Sequence, residues 1–451
     1  ACCTGGPNSG EANQGDLKRA KQDIQKQLTA VDVVRDSTRA WFSNMRPEQI
    51  LRVARAVQNL GKVRLTSGTG FSGTDIIHHV EAQVLSLFQQ KWGAHVQISH
   101  EFACDIGETQ RDFIMAEHSE VKWIFRDVGE LLEPRAKDMK SEDFQLVPPV
   151  DIFAVGPPCV TKSGLNRSVT AMERESALQN GEGKSGEGFR LTFSCVEKLS
   201  PALVLIENLD KCESDTMVDR SDADWIIDTL QGMNYTARSF VTQAMDYGSP
   251  CSRNRLYVVA IRNVGEAGVE AMDLITSLIG VFQTEPIPVS LILGKFVDLP
   301  DAPPDHPSFK RAKKASEFHQ EHYEIYTAYK VQYPPDYSLK SPQFLEGCQT
   351  LSAKQMEVVH FADETEPCEP YPKIQWFNVN FSLTALKKSA TTTIWRDTLP
   401  CLTCKAVIVG RQLQPDKETC IWKVIQGMDL FRLQGFVEFE STFVDEMCVT
   451  E

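Results

Sequence analysis

The chain has 451 residues, 42% of them hydrophobic and 24% charged, with a formal net charge of −14. That is enough apolar side chain for a sizeable core, which excludes wholesale disorder and a disulfide-dependent mini-fold. No run approaches the ~18 apolar residues of a membrane span, no signal-peptide pattern opens the chain, and an acidic protein that meets nucleic acid must find its positive charge locally.

Taken in chain order, Leu17, Ala20, Ile24, Leu28 and Val31 fall at spacings of three and four and predict a helix. Pro47 opens a second, with Ile50, Leu51, Ala54, Val57 and Leu60 on one face and Gly61 as its C-cap. Residues 1–60 thus read as an appended helical element without chemistry. From 61 to 263, short apolar runs alternate with helical stretches. Strands are predicted at Val63–Thr66, Val96–Ser99, Trp123–Phe125, Asp151–Val155, Ala202–Ile206, Ala237–Val241 and Leu256–Ile261, and helices at Asp75–Gln90 and Trp225–Gln231. The alternation predicts an α/β fold, a mostly parallel sheet with helices on both faces, whose ligands bind beyond the carboxyl ends of the strands. The Gly-rich GEGKSGEG at 181–188 reads as a mobile loop. Residues 264–420 lose the alternation, gather prolines between Pro300 and Pro335, and read as a smaller irregular domain. Residues 421–451 return to the first domain. Thirteen cysteines, an odd number spread from Cys2 to Cys448, read as free thiols in a reducing intracellular compartment, the nucleus if the host is eukaryotic.

Several stretches carry chemistry. SGTGFSGTD at 67–75 follows a strand and precedes a helix, the place of a cofactor-cradling loop. As Gly68, Gly70 and Gly73 it fits G-x-G-x-x-G and permits a nicotinamide or flavin reading; a plain turn explains it about as well. Asp105 and Asp127 follow the second and third strands, where a carboxylate either holds a ribose hydroxyl or caps a helix. GPPCVTKSGLNR at 156–167 follows DIFAV, which puts Cys159 in a rigid turn where an amide array would favour its thiolate. ENLDK at 207–211 sets Glu207 at the end of the next strand, as a capping group or, beside a nucleophilic cysteine, as an acid sharing a proton with a bound base. MDYGSPCSRNRLYVVAIR at 245–262 places Arg253 and Arg255 two apart on one face of a strand. Such a pair suits a planar or anionic ligand, or marks a solvated edge.

In this order the motifs resemble those of the cytosine-C5 methyltransferases. Phe71-Ser72-Gly73 is similar to the F-x-G element of the family's first motif, and Pro158-Cys159-Val160-Thr161-Lys162-Ser163, with GLNR after it, to its PCQ-x-x-S motif. Glu207-Asn208-Leu209 resembles ENV, Cys251-Ser252-Arg253-Asn254-Arg255 resembles Q-x-R-x-R, and GMDLFRLQGF at 427–436 resembles the late RLQGF element. The resemblance spans about 61–451. It implies a Rossmann-like class I methyltransferase core with a target-recognition region at 264–420. It implies S-adenosylmethionine as cofactor and, as partner, duplex DNA with a flipped-out cytosine, or tRNA. By the same resemblance Cys159 adds to C6, Glu207 bonds N3 and the exocyclic amine, Arg253 holds O2 and Arg255 supports the site. The cofactor falls to Phe71, Ser72, Gly73, Asp105, Ile106, Asp127, Pro157 and Leu191, and the segment from Ser163 to Arg190 to a lid. A non-catalytic binding relative is the alternative of another class; the intact Cys159, Glu207 and Arg253 argue against it.

The sequence departs from the family pattern at Asp75, where a glycine is usual, and at Val160 and Cys251, each in place of glutamine. The family's final Gly-Asn motif is missing, and the chain stops fifteen residues after Phe436. The expectation is therefore a partial sequence that binds its cofactor weakly. Cys401 and Cys404 form a C-x-x-C without a second pair, so no metal is expected. Lys310, Arg311, Lys313 and Lys314, near Phe318, Tyr323, Tyr326 and Tyr329, would meet a phosphate backbone or form the solvated end of an amphipathic helix.

Overall fold

The computed structural model describes residues 48–49, 64–92, 96–161, 178–181, 183–213, 220–263, 265–293, 319–330, 351, 353–365, 368–370, 373–379, 394–396, 398–399, 401–402, 407–414, 420–425, 429–430 and 433–434. The predicted N-terminal helices, the basic run from Lys310 to Lys314, Phe318, Cys404 and most of 427–436 lie outside the described residues.

The first unit runs β1 (Arg64–Gly70), α1 (Ile76–Trp92), β2 (Gln97–Cys104), α2 (Glu108–Glu117), β3 (Trp123–Phe125), a small hairpin of β4 (Arg135–Lys137) and β5 (Phe144–Leu146), β6 (Ile152–Val155), α3 (Gly183–Leu199), β7 (Leu203–Leu209), α4 (Asp222–Gly232), β8 (Tyr235–Gln243), β9 (Asn254–Arg262) and α5 (Glu266–Ile279). Seven strands form one sheet in the order β3-β2-β1-β6-β7-β9-β8. Each parallel pair along β3 to β7 continues the α/β winding, and β9 runs antiparallel to both β7 and β8. All seven predicted strands are present, and the fold class is the expected one.

The differences from the sequence reading have local causes. β2 continues past Ser99 to Cys104 because the polar His100 and Glu101 find partners. His100 lies 2.8 Å from Ser67 Oγ and 2.9 Å from Asp75 Oδ2, and Glu101 accepts from Lys122 Nζ at 2.6 Å. α2 escapes a pattern search because its buried positions are only Arg111, Phe113 and Ile114, too few for a helical stripe. The core lies between sheet and helices, where Phe102, Phe125 and Phe153 of the strands meet Phe189, Phe193 and Val196 of α3. Burying each such side chain contributes roughly 1.5–3 kcal/mol.

The expected mobile loop at 181–188 is mostly the start of α3, from Gly183 onward. Its glycines serve close packing: a Cβ on Gly188 would lie 2.7 Å from Pro158 Cδ. Ser185, Gly186 and Gly188 are buried accordingly. Of the expected lid, residues 183–190 are therefore helix, and residues 162–177 lie outside the described residues.

A second sheet is antiparallel. Its strands are β10 (Ile374–Asn378), β11 (Ile394–Arg396), β12 (Ile408–Leu413) and β13 (Cys420–Val424), in the order β11-β10-β12-β13. Between the sheets in sequence come α6 (Val289–Leu293), α7 (His319–Ala328) and α8 (Ala353–Thr365). Buried Arg411 organises this unit: its Nε and Nη2 donate to Gln375 Oε1 at 2.9 and 2.7 Å, and its Nη1 to Asp363 Oδ1 at 3.0 Å. The guanidinium also lies over the rings of Phe377 and Trp422. Tyr326, expected on a nucleic-acid surface, is instead fully buried, its hydroxyl donating to Glu357 O at 2.6 Å. Tyr323 on the same helix and Tyr329 in the turn after it are exposed. Tyr326 and Tyr329 both set their rings edge-on to Phe361 of α8, at 5.2 and 5.3 Å between centroids.

The two units meet around Cys251, which packs with Leu399, Leu402, Trp376 and Leu433. Ser252 N donates to Leu399 O at 2.8 Å, and Leu399 N to Pro250 O at 2.7 Å. A cysteine stands where the family motif has glutamine because this position is apolar seam. Burial pushes the Cys251 thiol up to about 12. Among the described residues no helix is long and apolar enough to cross a membrane.

Candidate active site

From β1 the chain winds outward to β2 and β3; from β6 it winds the other way to β7. The switch point thus lies between β1 and β6, where an open α/β sheet leaves a crevice at its carboxyl edge. The strand ends are level there. Gly70 pairs with Val155, Val155 with Ile206, and Gly156 N donates to Gly70 O at 3.3 Å. The residues that follow, Phe71, Gly156 and Glu207, consequently meet in one place. A Cβ on Gly156 would lie 3.7 Å from Glu207 Oε2 and 3.8 Å from Phe71 O.

Glu207 is held by both arginines of the predicted pair. Arg253 Nη2 donates to Glu207 Oε1 at 3.1 Å, and Arg255 Nε lies 2.9 Å from the same oxygen. The register explains this. β9 runs antiparallel to β7 with Arg255 opposite Leu209 and Tyr257 opposite Glu207, so alternate residues of both strands share a face. Arg253 sits just before the strand and is fixed by its backbone, whose N–H donates to Gln243 Oε1 at 2.5 Å. Gln243 Nε2 also donates to Ser252 Oγ at 3.1 Å. Gln243 belongs to no motif, and the sequence reading missed it.

The Cys159 loop is gripped from two sides. Asn208 Nδ2 donates to Pro157 O at 3.1 Å, and Asn208 Oδ1 accepts from Leu209 N at 2.9 Å. The residue after Glu207 therefore ties the cysteine loop to β7, a role the sequence reading left unassigned. On the other side Thr161 N donates to Ser185 Oγ at 3.0 Å, and Pro158 rests on Gly188. Cys159 is half-buried. Burial pushes its thiol up; Arg255 and then Arg253 oppose the rise, and Glu207 adds to it. The expected thiolate-favouring environment is thus not the resting state, because burial of the thiol outweighs the pull of the two arginines, which Glu207 partly offsets.

The other half of the crevice holds the residues expected at a cofactor. Phe71 has φ +52 and Gly73 φ +58, a tight turn directly after β1. Ser67 to Gly70, expected in this loop, belong to β1 itself; a Cβ on Gly68 would lie 2.4 Å from the Phe102 ring, so glycine there permits sheet packing. Ser72 closes the turn onto β2, its N and Oγ each donating to Cys104 O at 3.0 Å. Asp105 Oδ2 accepts from Gly73 N and Oδ1 from Gly107 N, both at 2.8 Å. Asp127 accepts from Gly129 N at 2.7 Å and caps a short 3-10 turn. Both acids therefore organise backbone. Each carboxylate oxygen keeps a second lone pair for a hydroxyl. Ile106, 73% exposed, stands beside Asp105, while Pro157 is buried and Leu191 packs near Gly129. Asp75 has φ +53, a left-handed conformation that glycine usually occupies and aspartate tolerates. Burial opposes its charge, but the hydrogen bond from His100 holds its carboxyl below the usual range.

A doubly wound α/β domain with a cysteine, an acid and two arginines converging at its switch point has the architecture of a group-transfer enzyme. A sequence model of the family described as C-5 cytosine-specific DNA methylase matches residues 124–418, more than half of the chain, and the chain belongs to that family. It is 24% identical over 258 residues to DNA (cytosine-5-)-methyltransferase DMT5 of Cryptococcus neoformans var. grubii, covering 56% of this chain and 10% of that protein. The chain thus spans about a tenth of the length of this curated relative. Among solved structures it is similar to a mutant of Spodoptera frugiperda DNMT2, at 18% identity and TM-score 0.30, covering 45% of this chain and 51% of that one. S. pombe Dnmt2 methyltransferase gives 17% identity and TM-score 0.31, with 50% and 58% covered.

Proposed function

We propose that the chain methylates carbon 5 of cytosine in DNA, using S-adenosylmethionine and a covalent Cys159 adduct on a flipped-out base. The observation that carries this reading is the convergence of Cys159, Glu207, Arg253 and Arg255 on one crevice, with Glu207 Oε1 shared by both arginines. The name of the fungal relative points to DNA.

The crevice fits the cofactor. Gly73 has nothing within 4 Å of where a Cβ would stand, so the turn leaves open space above it. Asp105 and Asp127 offer acceptors for ribose hydroxyls, and the exposed Ile106, with Phe71 and Leu191, offers an apolar face for a base. S-adenosylmethionine, when bound there, supplies an electrophilic methyl group. The remaining work falls to the chain. Cytosine C5 is a poor nucleophile, and addition of Cys159 sulfur to C6 makes it enamine-like. Glu207 holds N3 and the exocyclic amine, which favours a proton on the ring as electrons move into it. Arg253 holds O2, and Arg255 keeps Glu207 in place. Loss of the C5 proton and expulsion of Cys159 then restore the ring. The target must leave its stack to reach this site.

The test is incubation of the chain with labelled methyl donor and either duplex DNA or tRNA. Label entering cytosine of DNA supports the reading; label confined to tRNA overturns the choice of substrate. A second test concerns the turn. Asp105→Ala removes the acceptor of two backbone N–H groups, and cofactor affinity by calorimetry should weaken by roughly 1–3 kcal/mol. Unchanged affinity would leave Asp105 as a turn-builder only.

A further inference from the structure

Beside the turn that follows β1, two histidines from separate helices come together with a glutamate. His78 lies in the first turn of α1, His118 is the C-cap residue of α2, and Glu120 follows on the way to β3. We propose that His78, His118 and Glu120 form a binding site for a zinc-class divalent cation that ties α1 and α2 to the turn after β1.

Geometry supplies the argument. One ligand atom from each of the three residues lies within 4.8 Å of the others. His78 Nε2 is 2.5 Å from Glu120 Oε1, and His118 Nδ1 is 3.9 Å from the same oxygen. The two rings are edge-on at 84°, so their in-plane lone pairs can converge instead of stacking past each other. Zinc–ligand bonds of about 2.0–2.2 Å in a tetrahedral site put ligand atoms roughly 3.3 Å apart, so the two contacts to Glu120 Oε1 each need to change by less than about 1 Å. The proton held between His78 and Glu120 would leave to solvent as the cation enters.

The surroundings match what imidazole ligands require. A ligating histidine donates its other ring N–H to a carbonyl or carboxylate, which fixes the tautomer. His118 Nε2 lies 3.1 Å from Thr74 O, and a carbonyl can only accept; Nε2 therefore carries the hydrogen and Nδ1 is left as the donor atom toward Glu120. His78 Nδ1 is buried, makes no hydrogen bond and faces Glu81 Oε2 at 3.8 Å. Glu81 is in turn anchored by Ser67 Oγ at 3.1 Å. Glu120 is 53% exposed, which gives a cation a route in and leaves room for water as a fourth ligand. His100 is the poorer ligand, since Ser67 and Asp75 already occupy both of its nitrogens. The ligands are nitrogen and oxygen only, and two imidazoles with one carboxylate suit zinc better than magnesium or calcium.

The experiment is a titration of chelator-treated chain, free of any histidine tag, with Co²⁺ as a visible probe and Zn²⁺ as competitor. One equivalent should bind with the d–d spectrum of nitrogen and oxygen ligands and without a thiolate charge-transfer band. Zn²⁺ should displace it and raise the Tm. Affinity should fall at least about tenfold in His118→Ala and in Glu120→Gln, with Glu120→Asp retaining part of it. Circular dichroism of each variant separates lost ligation from lost folding. Failure of the parent chain to bind one equivalent overturns the proposal. So does a thiolate band that survives in His118→Ala, or loss of binding in Glu81→Gln with His118→Ala unaffected.

Discussion

Replacing Cys159 by serine should lower methyl transfer by roughly 10³-fold or more, the scale for removing a nucleophile, and leave cofactor affinity unchanged. A hydroxyl is far less nucleophilic than a thiolate, and the side chain belongs to the base-binding half of the crevice. DNA carrying 5-fluorocytosine should form a covalent adduct with the unmodified chain, because fluorine blocks the final loss from C5. Mass spectrometry should place that adduct on Cys159. The competing thiols are poor candidates: Cys195 and Cys251 are buried, and burial pushes each up to about 12. An adduct on either would sink the site assignment. Cys159 itself should alkylate slowly at neutral pH and faster as pH rises, since its neutral thiol is favoured by burial.

Glu207→Gln should separate two effects that a collapsed site would move together. The amide keeps the shape of the side chain but cannot share a proton with the base, so kcat/KM should fall by roughly 10²–10⁴-fold. The same change removes the negative charge that raises the Cys159 thiol, while Arg255 and Arg253 remain to lower it. The thiolate fraction at neutral pH should therefore increase, and alkylation of Cys159 should speed up as methyl transfer collapses. Slower alkylation in this variant would show that Arg253 and Arg255 had left the site when Glu207 lost its charge, and the electrostatic argument would fail.

Much of the first sheet was legible locally. A strand such as Ile152–Val155 is a short apolar run with a Gly-Pro turn behind it, and no distant residue is needed to see it. Where the pattern misled, a polar residue had found a partner far away. His100 and Glu101 extend β2 only because Ser67, Asp75 and Lys122 satisfy them. The glycines of 183–188 look like flexibility in sequence and act as clearance for Pro158 in space.

By itself the sequence determined the alternation of strands and helices and the placing of Cys159, Glu207 and the arginine pair directly beside strands, because period and turn chemistry are local properties. Only the tertiary structure decided that Gln243 and Asn208 hold the site, that both arginines share one oxygen of Glu207, and that Cys251 is seam. It also brought His78 together with His118 and Glu120 from two separate segments. The reason is physical: those contacts depend on sheet order, and on a β9 that runs against its neighbours. Strand order is set by how the whole core buries its apolar surface, which no short stretch of residues encodes.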